Sequence, residues 1–324
     1  MSWVEDDLRR RGFDIPYNAT NLMIPCPFHD ETQASLSIFL EDGRFQCFGC
    51  KKTGSYAKLV AELDGIPLED AIELVDSYIR LESFLRDPLD YLCSSLVEKD
   101  KASRRYSIES FHSVFPIRAI DSIAGRDYLK KRGIHSSKLT IQSDLRWGNT
   151  HNDYVDRVII PIRNTKGDLI TYAARSMRDD IVPKTMKPDK EEGIVVRSTL
   201  YGLYETLSRL RVSKLATPPV IVEGEFDSLY LRQFGVPAFA CMGSGPITSY
   251  QIRELVRLGA HTVFLSYDGD KAGDIALKIN RKLLSNFFTV RIISIPRGED
   301  PNTLSETQVL KLYGPVIIEE LKYD

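Results

Sequence analysis

Cys26-Pro27-Phe28-His29 and Cys47-Phe48-Gly49-Cys50 form two pairs, each with two residues between its members, and 17 residues lie between the pairs. That spacing constrains the fold more than any other feature of the chain. Each pair fits a tight knuckle that aims two ligands at one ion, and four N/S ligands close a tetrahedral zinc site with no position open for chemistry. The intervening "SLSIFLEDGRFQCF" alternates apolar and polar residues and predicts a hairpin turning at Asp42-Gly43, which returns the second knuckle to the first. The architecture is a zinc ribbon holding one structural Zn2+. Two readings of its phenylalanines stay open. Phe39, Phe45 and Phe48, with Arg44, Lys51 and Lys52, either stack bases and meet phosphates or simply fill the ribbon's core. The chain has five cysteines, and three of them fall in this segment, which fits a metal site in a reducing compartment better than a disulfide framework. Cys93 and Cys241 stand in apolar contexts and read as core residues.

The remaining composition sets the class. With 324 residues, 43% hydrophobic and 27% charged, the chain is expected to be soluble and globular, with two or three domains. The N-terminal "MSWVEDDLRRRGF" is charged throughout, and no apolar run approaches the roughly 20 residues of a membrane span, so the expectation is an intracellular protein without membrane contact. A net charge of -2 gives no global basic signal, and any nucleic-acid contact has to rest on local patches.

Along the chain the pattern changes three times. Residues 1–80 form the zinc-binding unit, ending in the helix-spaced "SYAKLVAELDGIPLEDAIELVDSYI". Residues 81–118 are polar and helix-compatible and read as a connector. Residues 119–216 mix a helix stopped by Gly133 with two strands around a turn at Lys166-Gly167-Asp168. Residues 217–324 alternate strand-like runs ("PVIVEG", "VPAFACMG", "HTVFLSYDGD", "TVRIISIP") with helical segments, the pattern of a parallel α/β sheet. The fold class is thus multidomain, α+β joined to Rossmann-like α/β. Gly49 and Gly54 have the glycine spacing of a P-loop, but Ser55 and Tyr56 follow where Lys and Ser/Thr are required, so no ATPase is implied, and Ser55 reads as a helix cap.

In the α/β part, carboxylates fall where apolar strands end. Glu223 follows "VIV" with Asp227 four residues on, Asp268 and Asp270 follow "VFLSY", and Glu299 and Asp300 follow "RIISIP". Ligands of parallel sheets bind beyond the carboxyl ends of the strands, so these groups are expected to converge. Such a cluster repels itself unless cations are present, and Mg2+ takes hard oxygen ligands completed by water and substrate phosphates. Asp227 and Asp274 are also placed to cap helices.

"VEGEFD" followed by "DGDKAGD" resembles the TOPRIM signature shared by topoisomerases, some nucleases and DnaG-type primases. "CPFH…CFGC" resembles the CHC2 zinc-binding domain of those primases, and "DRVIIPIRNTKGDLITYAAR…LYGLYE" resembles the segment before TOPRIM in their RNA polymerase domain. The resemblance covers nearly the whole chain in family order, and its stop soon after the core gives the expectation of a bacteriophage member. It implies a DNA primase, a nucleotidyltransferase making short RNA primers on single-stranded DNA from ribonucleoside triphosphates. It further implies Mg2+ or Mn2+ held by Glu223, Asp268, Asp270 and Asp300 with Asp227, a replicative helicase as partner, and a cytoplasmic location. In "GEDPNT" Asn302 stands where many members have Asp, which either weakens a peripheral metal contact or leaves an amide oxygen to coordinate Mg2+, and Ser55 replaces the family's usual Asp.

Basic residues complete the expectation. Arg126, Lys130, Lys131, Arg132, Lys138 and Arg146, against Asp127 and Asp144, make a patch able to track a template backbone. Arg157, Arg163, Arg175 and Lys184 match basic positions of the primase pattern and are assigned to nucleotide and template phosphates. The rival functions are a TOPRIM nuclease with a zinc ribbon as targeting module, which leaves residues 119–204 unexplained, and a non-catalytic DNA-binding accessory protein, which leaves the intact carboxylates unexplained.

Overall fold

The computed structural model describes residues 3–16, 19–65, 68, 71–72, 75, 107–150, 152–186, 197–243 and 245–323. They belong to two compact units, Met1–Pro88 and Leu89–Asp324. Cys93 and most of the stretch read as a connector lie outside the described residues.

In the first unit, α1 (Trp3–Arg10) precedes a four-stranded antiparallel sheet in the order β1 (Asn21–Ile24), β2 (Leu36–Phe39), β3 (Phe45–Cys47), β4 (Thr53–Gly54), and α2 (Tyr56–Asp64) closes it. The β2–β3 hairpin turns at Asp42-Gly43 as the alternation predicts, with the Gly43 N–H donating to the Phe39 carbonyl at 2.8 Å. Leu36, Ile38 and Phe45 from the sheet pack with Leu8, Tyr56 and Leu59 in one buried cluster. The buried Asp7 accepts at Oδ2 from the Tyr56 hydroxyl and from Arg11, each at 2.8 Å, so its buried charge is paired. Ser55 occupies the N-cap position of α2, but its hydroxyl makes no capping bond, contrary to expectation. Its carbonyl alone holds the first turn, accepting from Lys58 and Leu59 N–H.

The second unit contains two sheets. The first is antiparallel in the order β5 (Arg146–Trp147), β6 (Arg157–Arg163), β7 (Leu169–Ser176), β8 (Thr185–Met186). Asn164 builds its central turn, its Oδ1 accepting from Lys166 and Asp168 N–H. Helix α3 (Ile108–Val114) lays Phe111 on this sheet, followed by Phe115, both against Ile159, Leu169 and Ala174. Residues 107–118 are therefore packed structure and not the end of a connector. Their two buried aromatics are too few to produce an apolar periodicity. Helices α4 (Ile123–Lys131), ending just before Gly133, and α5 (Ser137–Gln142) precede the sheet, and α6 (Leu203–Leu210) follows it.

The second sheet is parallel in the order β10 (Ala238–Ala240), β9 (Val220–Val222), β11 (Thr262–Leu265), β12 (Thr289–Ile292). Its central strand is buried throughout, which is why "VIV" carries no alternation. Helices α7 (Glu225–Gln233), α8 (Ser249–Arg257) and α9 (Lys271–Leu284) connect the strands, and α10 (Glu306–Tyr313) follows. From β9 the chain passes outward to β10, then crosses back to β11 on the other side. The order reverses between β9 and β11, and a crevice opens beyond the carboxyl ends of those two strands.

Candidate metal centres

Cys26 and His29 lie on the loop after β1, Cys47 ends β3, and Cys50 follows on the next turn. Their four ligand atoms all lie within 4.8 Å of one another. Cys26 Sγ and Cys50 Sγ are 3.9 Å apart, close to the edge of about 3.8 Å expected of a tetrahedron with Zn–S bonds of about 2.3 Å. His29 Nδ1 is buried without a hydrogen-bond partner, the state of a nitrogen meant for a metal. Its Nε2 lies 3.1 Å from Glu31 Oε2, the carboxylate–histidine arrangement that orients zinc ligands. Glu31 also accepts from the Cys26 and Ser35 N–H groups at 2.6 and 3.0 Å. Burial raises the Cys26 thiol. It opposes ionisation of Cys47 too, but the contacts of that sulfur with Ser35 and Cys50 lower its pKa, the Cys50 N–H donating to it at 3.3 Å. The residues fit a structural zinc.

Glu31 and Ser35 were not singled out by spacing, since neither is a ligand. Gly49 has a packing reason for being glycine: a Cβ there would lie 2.8 Å from His29 Nε2 and 2.9 Å from Ser35 Oγ. The P-loop-like spacing is thus a by-product of the ribbon. The two readings of the phenylalanines divide between residues. Phe45 is 2% exposed and stacks on Phe28 in the core, whereas Phe39 and Phe48 are 45% and 56% exposed. Lys52 sits over the Phe28 ring at 4.9 Å, and Arg44 is paired with Asp42 at 2.6 Å.

In the second unit, Glu223 stands at the end of β9 and Asp268 three residues beyond β11, the two strands that flank the crevice. Asp270 caps α9, accepting from the Gly273 N–H at 2.7 Å, and Asp300 precedes a short 3-10 helix, Pro301–Thr303. Gly269 is pressed between the two loops: a Cβ there would meet the Pro296 carbonyl at 2.1 Å. Burial, with repulsion from Asp227, Asp270 and Asp300, pushes the Glu223 carboxyl up to about 7. Asp268 is raised further by burial and by the same neighbours together with Glu223, and Asp300 is raised by burial and Asp270. Each of these carboxyls is thus under the electrostatic influence of its neighbours in the predicted set. Glu223 Oε1 and Asp268 Oδ1 are buried without any donor. Acceptors left open in a concentration of negative charge suit divalent cations. Among the described residues no three carboxylates gather as tightly as the zinc ligands. Two acidic residues face elsewhere. Asp274 pairs with Arg297 at 2.6 Å, and Glu299 accepts from Gln308.

The basic residues divide differently from expectation. Arg157 is 3% exposed, and its guanidinium donates to the carbonyls of Ala174 and Pro183 at 3.0 and 2.9 Å. Arg163 is spent on Asp144 at 2.8 Å and Glu205 at 3.4 Å, and Arg146 on Asp144 at 2.5 Å. All three are tied into the fold, and the assignment of Arg157 and Arg163 to phosphates, and of Arg146 to the template patch, is corrected accordingly. Arg175 bonds Thr185 Oγ1 at 3.0 Å and, with Arg132, opposes the upward shift of the Asp300 carboxyl. Arg132 lies over the Phe226 ring at 4.9 Å. Lys184, Arg126, Lys130, Lys131 and Lys138 are exposed. Removing Arg157 strands buried carbonyls. Arg157→Ala is expected to lower unfolding stability by about 2–3 kcal/mol, read from the thermal midpoint, while the divalent-ion affinity of the carboxylates stays within twofold.

Comparison with known proteins places these two centres. Residues 8–87 match the CHC2 zinc finger family and residues 220–305 the Toprim-like family. The DNA primase of Deinococcus radiodurans is 28% identical over 307 residues, covering 85% of this chain and 52% of its own length. The DNA primase of Halalkalibacterium halodurans is likewise 28% identical, with 86% and 51% covered. The two family matches and the primase relatives together support a DnaG-type primase. The chain spans about half the length of the curated primases it matches. Among solved structures, the zinc-binding and RNA polymerase domains of the Aquifex aeolicus primase superpose with a TM-score of 0.52 at 23% identity, covering 97% of this chain and 83% of that one. A DnaG primase catalytic domain bound to ssDNA gives 0.53 at 24%, covering 64% and 75%. Both share the fold. The four candidate zinc ligands, residues 26–50, lie in the first unit, and the carboxylates, residues 223–300, lie in the second.

Proposed function

We propose that this chain is a DNA primase, synthesising short RNA primers on single-stranded DNA from ribonucleoside triphosphates. The observation that carries the reading is the meeting of Glu223, Asp268, Asp270 and Asp300 at the β9–β11 crevice, with buried oxygens that no donor satisfies. Mg2+ or Mn2+ bound there would activate the attacking hydroxyl and stabilise the leaving pyrophosphate. The 3′ oxygen of one ribonucleotide forms a bond to the α-phosphorus of the next, the α–β phosphoanhydride bond breaks, and the hydroxyl proton passes to solvent. Glu223, Asp268 and Asp270 supply the carboxylates of the catalytic site. Arg175 and Lys184 remain the nucleotide and template contacts from the predicted set, joined by Arg132, whose charge faces Asp300. Exposed Phe39 and Phe48 beside Lys51 and Lys52 offer the ribbon a stacking surface for template bases. A relative solved with ssDNA on its catalytic domain supports the template assignment. A replicative helicase as partner and a cytoplasmic location follow from the same family reading. No helix among the described residues is long and apolar enough to cross a membrane.

The test incubates the purified protein with single-stranded DNA, ribonucleotides and Mg2+ or Mn2+. Short RNA is the expected product. Degradation of the DNA with no RNA made would instead establish the nuclease reading.

A further inference from the structure

Asp227 differs from the other members of the carboxylate cluster. It lies in the first turn of α7 and is 4% exposed. Both of its oxygens are taken: Oδ2 accepts from the Gly224 N–H at 3.1 Å, and Oδ1 accepts from the side-chain amide of Asn302. Glu223 and Asp268, by contrast, each keep a buried oxygen with no donor. Asn302 sits in the 3-10 helix that follows Asp300, so the bond ties the Asp300 loop to α7. One turn further along α7 a second tie repeats the geometry, the Tyr230 hydroxyl donating to the Leu304 carbonyl. We propose that Asp227 is a positioning residue and not an ion ligand, holding the Asp300 loop against α7 through the Asn302 amide.

The identity of residue 302 explains how this works without a cation. An aspartate there would set two carboxylates face to face in a buried contact, stable only with a proton or an ion between them. Asparagine supplies an N–H instead, so the loop is set before any ion arrives. The departure from the family pattern at this position is then a change of role rather than a weakened contact.

The inference rests on the reading of the cluster as a divalent-cation site, and the test separates the two. Mn2+ binding is followed by electron paramagnetic resonance, and amide hydrogen exchange is measured in EDTA. In Asp227→Asn the new carbonyl accepts from Gly224 N–H and the new amide donates to the Asn302 carbonyl once that side chain flips. Its Mn2+ affinity should fall by no more than about threefold. Asp227→Ala releases the loop, and its affinity should fall about 10–100-fold, as for residues that orient metal ligands. In EDTA the Thr303 amide of Asp227→Ala should exchange at least tenfold faster than wild type, with the amides of the β2–β3 hairpin of the zinc ribbon, in the other unit, unchanged. If Asp227→Asn loses Mn2+ as far as Asp227→Ala, Asp227 is a ligand and the proposal is overturned. Unchanged Thr303 exchange in Asp227→Ala overturns it as well. A wild-type protein that binds no Mn2+ would overturn the cation reading, and this proposal with it.

Discussion

Asp268→Ala is expected to make no detectable RNA on single-stranded DNA, a loss of at least about a thousandfold, or about 4 kcal/mol in the barrier. Asp268 is the residue on which the other carboxylates converge, its carboxyl raised by burial and by Asp227, Glu223, Asp300 and Asp270 together. Removing it takes one acceptor from the ion site and relieves repulsion among those that remain. The two effects have opposite signs in stability, and that is what makes the variant informative. In EDTA the thermal midpoint of Asp268→Ala should equal or exceed that of wild type. In saturating Mg2+ or Mn2+ the order should reverse, because wild type gains by ligand linkage, about 2.7 kcal/mol when the ion stands at a hundred times its dissociation constant. An Asp268→Ala protein that gains as much from the ion as wild type would remove Asp268 from the site. So would one that primes normally.

Cys47→Ser carries the second large effect. Cys47 is fully buried, and its sulfur accepts from the Cys50 N–H at 3.3 Å, a contact that favours the thiolate. A structural zinc contributes on the order of 10–16 kcal/mol of apparent binding free energy, more than the core of a unit this small can replace. The expected outcome is loss of bound zinc from one ion per chain to none, with proteolysis opening residues 1–88. Mn2+ binding by the carboxylates should persist, since none of them lies in that unit. Site-selective priming should fail in the same variant. If Cys47→Ser primes with unchanged sequence preference, the ribbon does not read the template.

What was legible in the sequence follows from which contacts leave a periodic or spaced trace. Two Cx2 knuckles and a hairpin between them specify a ribbon, because the ligands must come from turns a fixed distance apart. Carboxylates after buried apolar strands specify a crevice, because parallel strands share one carboxyl edge, and Glu223 and Asp268 lie where the strand order reverses. Other features left no such trace. Whether a strand arginine turns inward depends on carbonyls and acids brought from far along the chain, as Pro183 is to Arg157 and Glu205 to Arg163. Glu31 orients a ligand without being one, and Phe45 lies in β3 whereas Phe48 falls on the turn after it, a boundary that composition does not encode. Asn302 read as a weakened ligand because its partner, 75 residues away, was not visible.

The two centres also differ in the length of chain they must close. The zinc ligands span Cys26 to Cys50 around a local hairpin, while the carboxylates run from Glu223 to Asp300 through three strand crossovers. Loop closure and non-local pairing both slow assembly as the separation grows. During synthesis the ribbon has every ligand and its closing helix once Asp64 has been added, before any strand of the parallel sheet exists. Zinc can therefore be captured while the ribosome is still making the chain, and divalent ions enter the crevice only after the last crossover is in place.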